Sequence, residues 1–188
     1  MDGVWLFGQD QYFLRTLSVR DAALRLDFFL RNRDVLEPFM PLIPSSEYTL
    51  IRQRLILQRG TRDMNEDRRY LFGIFSAQMP HRGPLLGYVN LNNVIRGAFQ
   101  SCDIGYAMDR ESTGQGIMTQ AVQKVSRLAF SSLHLHRIQA AVILSNQASI
   151  RVAEKSGFQR IGLSRHYLKI HGIYQDHVLM DKISTLEE

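Results

Sequence analysis

Two glycines, Gly114 and Gly116, separate an apolar segment from an amphipathic one in the middle of the chain. Apolar residues recur at helical spacing from Ile117 to Ala129, so the pattern predicts a strand, a glycine turn and a helix. Glycine allows a tight turn and a close approach of the backbone to a ligand. The first amides of a helix are unpaired and attract anions. The stretch therefore suits a pyrophosphate, although an ordinary turn has the same pattern, and it matches neither a Walker loop nor the dinucleotide fingerprint.

A second polar stretch begins at Ser145 and Asn146 and leads into Gly157-Phe158. The side chain of either Ser145 or Asn146 can accept a hydrogen bond from the first backbone amides of a short helix. Gly157 can end that helix in the left-handed conformation that most other residues avoid. The stretch therefore predicts a short helix over 146–155 with a cap at each end.

Together the two stretches resemble the signatures of the GNAT N-acetyltransferases, in which a glycine loop holds the pyrophosphate of coenzyme A. The second signature of that family has an asparagine, a small residue three positions on, and Gly-Phe eleven and twelve positions on. Asn146, Ser149 and Gly157-Phe158 have this spacing. Within the family, the chain resembles the RimJ-like ribosomal-protein-alanine N-acetyltransferases over residues 12–182. The stretches that carry this resemblance are 93–99, Ile104-Gly105-Tyr106, His136-Arg137-Ile138, Tyr167-Leu168 and 176–179.

The resemblance implies a GNAT fold of the α/β (α+β) class, in a single domain over residues 1–188. Its centre is a mixed, mostly antiparallel, twisted sheet of about seven strands, flanked by about four helices. Periodicity and turn residues predict strands at 12–17, 70–76, 85–95, 101–108, 136–144, 158–163 and 175–181. Helices are predicted at 21–31, from Ser46, after Gly116 and at 146–155.

Each of the two helices near the amino end is expected to bury one apolar stripe. The stretch 59–69 is polar and mixed in charge; a solvated loop is predicted, and a binding patch is the alternative. Residues 78–84, with two prolines and a glycine, are predicted to form a turn. The expected buried stripes are Ala22, Leu26, Phe29 and Leu30 in the first helix, and Tyr48, Ile51 and Leu55 in the second.

The hydrophobic and charged fractions are those of an ordinary soluble globular chain. No apolar run reaches membrane-spanning length, and the first residues do not resemble a secretory signal, so a cytoplasmic protein is predicted. Cys102 is the single cysteine, which excludes an internal disulfide and favours a small buried side chain over a catalytic thiol. The net charge of +5 suits an anionic cofactor or an RNA-rich particle. His134 and His136 lack a third ligand at recognisable spacing, so no metal is predicted.

The resemblance also assigns the cofactor site, with acetyl-CoA as the implied co-substrate. Amides of the glycine loop would hold its pyrophosphate, and amides at the end of the strand 101–108 would hold the pantetheine arm and stabilise the carbonyl oxyanion. Glu111 stands where the family usually has Gln or Arg, so a somewhat weaker cofactor affinity is expected. The residues implied in cofactor binding are Ala107, Met108, Asp109, Gly114, Gln115, Gly116, Ile117, Met118, Asn146 and Ser149.

Proton transfer requires a donor for the departing thiolate and a base for the amine. Many family members place Tyr seven residues after the Asn, but this chain has Ala153 there. Ser149 matches a serine of the RimL- and RimJ-like members and is the implied donor; the alternative is a hydrogen bond within the first helical turn alone. The resemblance implies Asp103 as the candidate base, because relatives often have a carboxylate at this place on the fourth strand. The carboxylate that some RimL-like members carry after Gly-Phe falls on Leu168 here, so that route is absent.

The resemblance implies that the first helices and the last hairpin surround the acceptor, with Phe39, Tyr106 and Tyr167 as binding residues. Relatives usually carry Trp in place of Phe39, which is either an aromatic wall of the cleft or a core residue. The weak base suits an N-terminal amine rather than a lysine. At neutral pH, deprotonation costs roughly 1 kcal/mol for an α-amine of pKa about 7.8 and nearly 5 kcal/mol for lysine at about 10.4.

The leading hypothesis is acetyl transfer to the N-terminal α-amine, on alanine, of a ribosomal protein by direct attack on the thioester. One alternative is a GNAT enzyme that acetylates a small amine such as a polyamine or an aminoglycoside. The other is a non-catalytic ribosome-assembly or RNA-binding factor with the same fold. The expected partner is a ribosomal-protein N terminus or a pre-ribosomal particle, with weak RNA contact. No membrane partner is expected, and the protein is expected to be a monomer or a homodimer.

Overall fold

A computed structural model describes residues 3–80 and 83–185, which contain eight strands in one sheet. The strands are β1 Val4–Phe7, β2 Tyr12–Thr16, β3 Tyr70–Ser76, β4 Gly87–Ile95, β5 Ser101–Met108, β6 Arg137–Ile143, β7 Gln159–Ile170 and β8 Ile173–Ile183. Their spatial order is β1-β2-β3-β4-β5-β6-β8-β7. Neighbours are antiparallel except β5 and β6, which are parallel. The predicted mixed, mostly antiparallel sheet is confirmed, with one strand more.

The helices cover both faces of this sheet. They are α1 Ala22–Arg31, α2 Arg33–Leu36, α3 Leu50–Asn65, α4 Ile117–Ser131 and α5 Gln147–Lys155. The buried residues of α1 and α3 share a core with Leu71 and Phe75 of β3, on what we call the α1–α3 face. Those of α4 and α5 pack with Phe72 and Ile74, on the α4 face. β3 is therefore apolar on both faces, as its sequence predicts for a central strand.

The sheet opens where β5 and β6 diverge. These strands pair over three residues, from Ser101 opposite Arg137 to Asp103 opposite Gln139. β5 then continues along β4 to Met108, while β6 stays paired with β8 over its whole length. The β5–β6 opening therefore lies beside residues 104–108. Because the strands are parallel, the loop after β5 and the amino end of α5 meet at the same edge of the sheet.

The prediction of a solvated loop at 59–69 is wrong in its first half, and so is the predicted stripe of the second helix. α3 begins after its cap Thr49 and stays helical to Asn65, so its arginines lie on the solvated side of a helix. Ile51 and Leu55 are 72% and 49% exposed, because the helix begins later than predicted and buries another face. The buried residues of α3 are Gln53, Leu57 and Gly60.

Three smaller differences concern α1, β1 and the last two strands. In α1 the buried aromatic pair is Phe28 and Phe29, whereas Leu30 is 52% exposed. β1 has no counterpart in the sequence prediction, since it is an edge strand with Val4 and Leu6 exposed. β7 and β8 form a longer hairpin than predicted.

Some predicted features extend beyond the described residues. The predicted turn at 78–84 includes residues 81 and 82, and the predicted domain includes residues 1–2 and 186–188; all of these lie outside them. Within 3–80 and 83–185, helices are all too short or too polar to cross a membrane.

Candidate active site

A pair of hydroxyl groups spans the β5–β6 opening. Ser149 Oγ donates a hydrogen bond to Tyr106 Oη at 3.1 Å, and Tyr106 Oη donates to the backbone carbonyl of Ser149 at 2.9 Å. Tyr106 lies on β5 and Ser149 in the first turn of α5, so the pair joins the two diverging segments. Burial raises the pKa of the Tyr106 phenol, against the opposing effect of Ser149. The phenol therefore keeps its proton at neutral pH.

Asn146 fixes the position of Ser149. Its Oδ1 accepts a hydrogen bond from the Ser149 amide at 3.0 Å, so Asn146 rather than Ser145 caps α5. Gly157 follows the helix with a φ of +90°, in the left-handed region that was predicted for it. The side chain of Ser149 itself bonds Tyr106, whereas its amide makes the bond within the first helical turn.

The glycine turn presents an open backbone surface. Gly114 and Gly116 have φ of +76° and +77°, in the left-handed region that favours glycine. Within the described part of the chain, a Cβ added at Gly114 would have no atom within 4 Å. One at Gly116 would meet Gln120 Nε2 at 3.9 Å. The space above both glycines is therefore free for a ligand to approach.

The amino end of α4 can receive an anion. No side chain of the described residues caps this helix, and its first turn contains no acidic residue. The amides of Ile117 and Met118 consequently keep unpaired N–H groups, and the helix dipole adds partial positive charge there. Gln115 and Glu111 lie beside this end, where Gln115 Nε2 donates to the Glu111 carbonyl at 3.3 Å. The arrangement has the geometry of a helix-terminal phosphate site.

The three amides predicted to face the thioester do not point the same way. The Asp109 amide donates to the Leu86 carbonyl at 2.8 Å, on the β4 side. Because N–H directions alternate along a strand, the Ala107 amide also faces β4. The Met108 amide faces β6, which has diverged at this point. Met108 is therefore the residue of the three whose amide is placed to stabilise an oxyanion in the opening.

A buried polar network holds the turn between β5 and the glycine loop. Asp109 is 1% exposed, pairs with Arg31, and accepts a hydrogen bond from Asn32 Nδ2 at 3.0 Å. Asn32 Oδ1 accepts one from the Arg110 amide at 2.9 Å, and Asp109 Oδ1 accepts one from the Glu111 amide at 3.0 Å. The end of α1 thereby positions the glycine loop. Sequence reasoning missed Asn32, because it lies 77 residues before Asp109 in a polar helix end.

Asp103, the predicted base, lies on the opposite face of β5 from Tyr106. Side chains alternate along a strand, and Ala107 packs on the α1–α3 face whereas Tyr106 packs on the α4 face. Asp103 shares the face of Ala107, is half-buried, and accepts a hydrogen bond from Asn93 Nδ2 at 2.7 Å. The structure therefore does not bring Asp103 to Ser149, since Asp103 lies on the α1–α3 face where β5 still pairs with β6.

The predicted acceptor residues Phe39 and Tyr167 lie on two segments that meet. Phe39 ends a 3-10 turn at Glu37–Phe39 and is 38% exposed, which argues against a role as a core residue. Tyr167, on β7, is 47% exposed and packs with its ring centroid 5.3 Å from that of His177. At the tip of the hairpin, His171 Nε2 donates to the Glu37 carbonyl at 2.7 Å. The hairpin thus bridges to the turn that carries Phe39.

A family model described as an acetyltransferase (GNAT) domain matches residues 12–159. The chain belongs to the GNAT acetyltransferase family. It is therefore an N-acetyltransferase, and the likeness to the RimJ-like members is confirmed by its relatives.

Three GNAT relatives are similar over nearly the whole chain. Probable N-acetyltransferase YjcK of Bacillus subtilis (strain 168) is 40% identical, over 94% of this chain and 96% of its own. The ribosomal-protein-S5-alanine acetyltransferase of Vibrio fischeri is 29% identical, with a TM-score of 0.91 over 98% of each chain. Mycobacterium smegmatis RimJ, solved in complex with CoA-disulfide, is 28% identical, with a TM-score of 0.88 over 97% of this chain and 86% of its own.

Cys102 of this GNAT enzyme is a buried, free cysteine. Burial, with the charge of Asp103 adding and that of Arg96 opposing, raises the pKa of the Cys102 thiol to about 12. A thiolate is therefore not available at neutral pH. Across 3–80 and 83–185, the side chains of His, Cys, Asp and Glu form no group of three that could hold a metal ion.

The GNAT site differs most from its sequence prediction at Tyr106. Sequence reasoning named it as an acceptor residue, whereas the structure turns it to Ser149 on the α4 face. Strand alternation gives a signal for this, since Tyr106 shares a face with the apolar residues Ile104 and Met108. The contact with Ser149 itself, across 43 residues, has no sequence signal.

Proposed function

We propose that this GNAT enzyme transfers the acetyl group of acetyl-CoA to the N-terminal α-amine of a ribosomal protein that begins with alanine, in the cytoplasm. The observation that carries the proposal is the Tyr106–Ser149 pair across the β5–β6 opening, because it puts a proton donor where a thiolate would leave. The similarity to an enzyme named for the alanine of ribosomal protein S5 supports the choice of acceptor.

Acetyl-CoA fits the groups around the opening. The pyrophosphate would lie against the glycine turn and the first amides of α4, from Gly114 to Met118, where the open backbone surface and the helix dipole favour it. The bound co-substrate supplies a thioester that an amine can attack directly. Asn146 keeps the start of α5 beside this group, and the Met108 amide would stabilise the developing oxyanion, an effect of about 3 kcal/mol for such donors.

Ser149 protonates the leaving sulfur, directly or through one water. As negative charge grows on the sulfur, the Ser149 hydroxyl would turn away from Tyr106 and donate its proton to the sulfur, and a water molecule would return a proton to Ser149 Oγ. Tyr106 Oη would then donate to Ser149 Oγ, at 3.1 Å, instead of to the Ser149 carbonyl, at 2.9 Å. The raised pKa of Tyr106 suits this role, since the phenol remains a donor through the working pH range.

The acceptor amine arrives from the α1–α3 face, past Phe39 and Tyr167. Asp103 lies on that face and serves as a weak base, directly or through water. An α-amine has a pKa of about 7.8 and requires little help to lose its proton, whereas a lysine amine requires a strong base. The separation of Asp103 from Ser149 is then useful, because the proton leaves on one face of the sheet and is supplied on the other.

The proposal is tested with purified enzyme, acetyl-CoA and a panel of acceptors. The panel holds peptides that begin with alanine, the same peptides blocked at the N terminus but carrying a free lysine, and polyamines. The peptides with a free N-terminal alanine are expected to react about 100-fold faster than the blocked ones. At pH 7 the pKa difference alone makes the deprotonated fraction of an α-amine more than about two decades larger than that of a lysine amine. The rate should rise with pH and level off near about pH 8, as the α-amine loses its proton. Faster turnover of blocked peptides or polyamines would replace the proposal with the small-amine alternative.

A further inference from the structure

Two arginines lie half-buried on the α1–α3 face without a carboxylate partner. Arg25, on α1, stacks 4.6 Å from the ring centroid of Phe29 and donates to Gln53 Oε1. Arg69 directly precedes β3, and its buried Nε lacks a hydrogen-bond partner among the residues that the structure describes. In that same part of the chain neither guanidinium has an acidic side chain within ion-pair distance. An unpaired charge in such a place is costly, which points to a missing anion.

The surroundings of Arg69 do not neutralise it. Asp63 acts on Arg69 from α3, but it is already paired with Arg68 at 2.6 Å. Arg59, also on α3, adds positive charge near Arg69. Burial lowers the pKa of the Arg69 guanidinium, with Arg59 adding to the effect and Asp63 opposing it.

The side chains that contact Arg25, Phe29 and Gln53, are uncharged. Gln53 is 3% exposed and uses both ends of its amide, since Nε2 donates to the Glu47 carbonyl at 2.8 Å while Oε1 accepts from Arg25. Burial lowers the pKa of Arg25 to about 10, with Tyr88 opposing this shift and the positive charge of Arg69 adding to it. The two arginines therefore lie close enough to act on each other. Gln53 is polar but uncharged, so it does not neutralise the two guanidinium groups, and together they form one electropositive site.

Tyr88 relates this site to the reaction centre. Burial raises the pKa of the Tyr88 phenol and the charges of Arg25 and Arg69 oppose this rise, so Tyr88, on β4, lies near both arginines. Its ring packs 5.9 Å from that of Phe29, which also carries Arg25. The register partner of Tyr88 is Ala107, near the end of β5 beside the opening. The arginine pair is thus one strand away from the point of amine attack, on the face from which the acceptor arrives.

We propose that Arg25 and Arg69 bind a carboxylate of the acceptor, carried by an acidic side chain a few residues after its N-terminal alanine. A guanidinium presents paired N–H groups that match a carboxylate with two parallel hydrogen bonds. The inference rests on the proposed α-amine acceptor and deepens it. It also opposes polycationic acceptors, because two half-buried cations on the approach path repel them.

The test compares matched peptides with the full-length enzyme. Each peptide begins with alanine and carries Glu or Gln at one of positions two to five. At one or two of these positions the Glu peptide is expected to have a kcat/KM about 10-fold or more above its Gln counterpart. Arg69→Gln should reduce that ratio to near one while changing turnover of the Gln peptide less than about twofold. Arg69→Lys should restore part of the preference, since it keeps the charge but not the planar fork.

Arg54→Gln is the matched control, because it removes the same charge from the exposed side of α3. It should keep the full preference for Glu. Arg25→Gln is a second variant, with its thermal unfolding measured because Arg25 packs on Phe29.

The N-terminally acetylated product peptides are titrated in parallel by calorimetry, so the preference is also measured without turnover. Acetylation of alanine peptides with no preference at any position, or a preference that survives in Arg69→Gln, would overturn the inference and leave the proposed function standing. Failure to acetylate every alanine peptide would overturn the proposed function. Calorimetry then decides the inference separately: tighter binding of Glu peptides that is lost in Arg69→Gln supports it, and equal binding of Glu and Gln peptides overturns it.

Discussion

The proposed cofactor side and the proposed acceptor side of this site differ in the kind of group that forms them. The cofactor side uses backbone amides and two glycines from one short stretch, together with one capped helix turn. The acceptor side uses side chains from α1, α3, β4 and the β7–β8 hairpin, which are far apart in the chain. A backbone surface is the same for most sequences that can fold into it, whereas a side-chain surface changes with each substitution. The first suits a co-substrate shared by a family, and the second an acceptor that differs between its members.

The largest expected effect is the loss of acetyl-CoA binding when the backbone surface of the glycine turn is blocked. Gly116→Trp should abolish the rise in melting temperature that acetyl-CoA gives the wild type, because the side chain would fill the open space and the φ of +77° would strain it. At 100 times Kd the wild-type stabilisation is about 2.7 kcal/mol, which thermal unfolding resolves. Gly97→Trp is the control, since Gly97 has a φ of +70° in a turn between β4 and β5. It should lose stability and keep the ligand-induced shift. An unchanged shift in Gly116→Trp would show that the phosphate site lies elsewhere.

A second prediction concerns the network that connects the two sides. Asn32→Ala should lower the free energy of unfolding by about 2–3 kcal/mol, because it removes the buried Asn32 amide that accepts from the Arg110 amide and donates to the buried Asp109, which keeps only Arg31 at that oxygen. Cofactor affinity should fall as well, since the glycine loop follows this turn. Denaturant unfolding and calorimetry measure the two effects. Asn65→Ala, at the exposed end of α3, should change neither. Wild-type stability in Asn32→Ala would show that the network does not hold the loop.

The third prediction concerns Ser149, which contributes a side chain to the cofactor side, where the other groups are backbone amides. Ser149→Ala should lower kcat about 10-fold or more, within the range for general acids, with a smaller change in KM. Tyr106→Phe should lower kcat less, and the double variant should lose less than the product of the two single losses, because the hydroxyls act as a unit. Ser131→Ala is a matched helical control. Equal kcat in Ser149→Ala and wild type would leave Ser149 with a structural role.

The smallest expected effect is on acetyl-CoA affinity, when Glu111 on the cofactor side is replaced. Glu111 lies in the turn before the glycine loop, and its backbone carbonyl accepts a hydrogen bond from Gln115, so its negative charge is expected to oppose a pyrophosphate at the loop. Glu111→Gln should tighten acetyl-CoA binding by about two- to fivefold at low salt, and the gain should shrink as salt screens the charge. Glu66→Gln, on the end of α3, removes the same charge far from the loop along the chain and should have no effect. Weaker binding by Glu111→Gln would mean that the carboxylate supports the loop rather than opposing the ligand.

The sequence predicts the cofactor side better than the acceptor side for a physical reason. Glycine turns, helix caps and strand alternation are local, so the turn at Gly114 and Gly116 and a cap at Ser145 or Asn146 can be predicted from neighbouring residues. Burial of Gln53 cannot, because it depends on hydrogen bonds to Arg25 on another helix and to the Glu47 carbonyl. Hydrophobic periodicity therefore selected Ile51 and Leu55 as the buried face of α3. The longer β7–β8 hairpin was missed for a similar reason, since edge strands lack an apolar pattern when both faces are exposed.

Because β5 and β6 diverge, the opening between them has two entrances, one from each face of the sheet. The thioester would enter from the glycine-loop edge and the α4 face, whereas the amine would enter from the α1–α3 face, so neither substrate blocks the path of the other. In the proposed direct attack both substrates must be present at once, because the acetyl group would pass between them without being held by the enzyme. In steady-state terms this is a ternary-complex mechanism, in which double-reciprocal lines intersect rather than run parallel. Free coenzyme A then competes with acetyl-CoA but not with the acceptor, so each entrance has its own inhibitors.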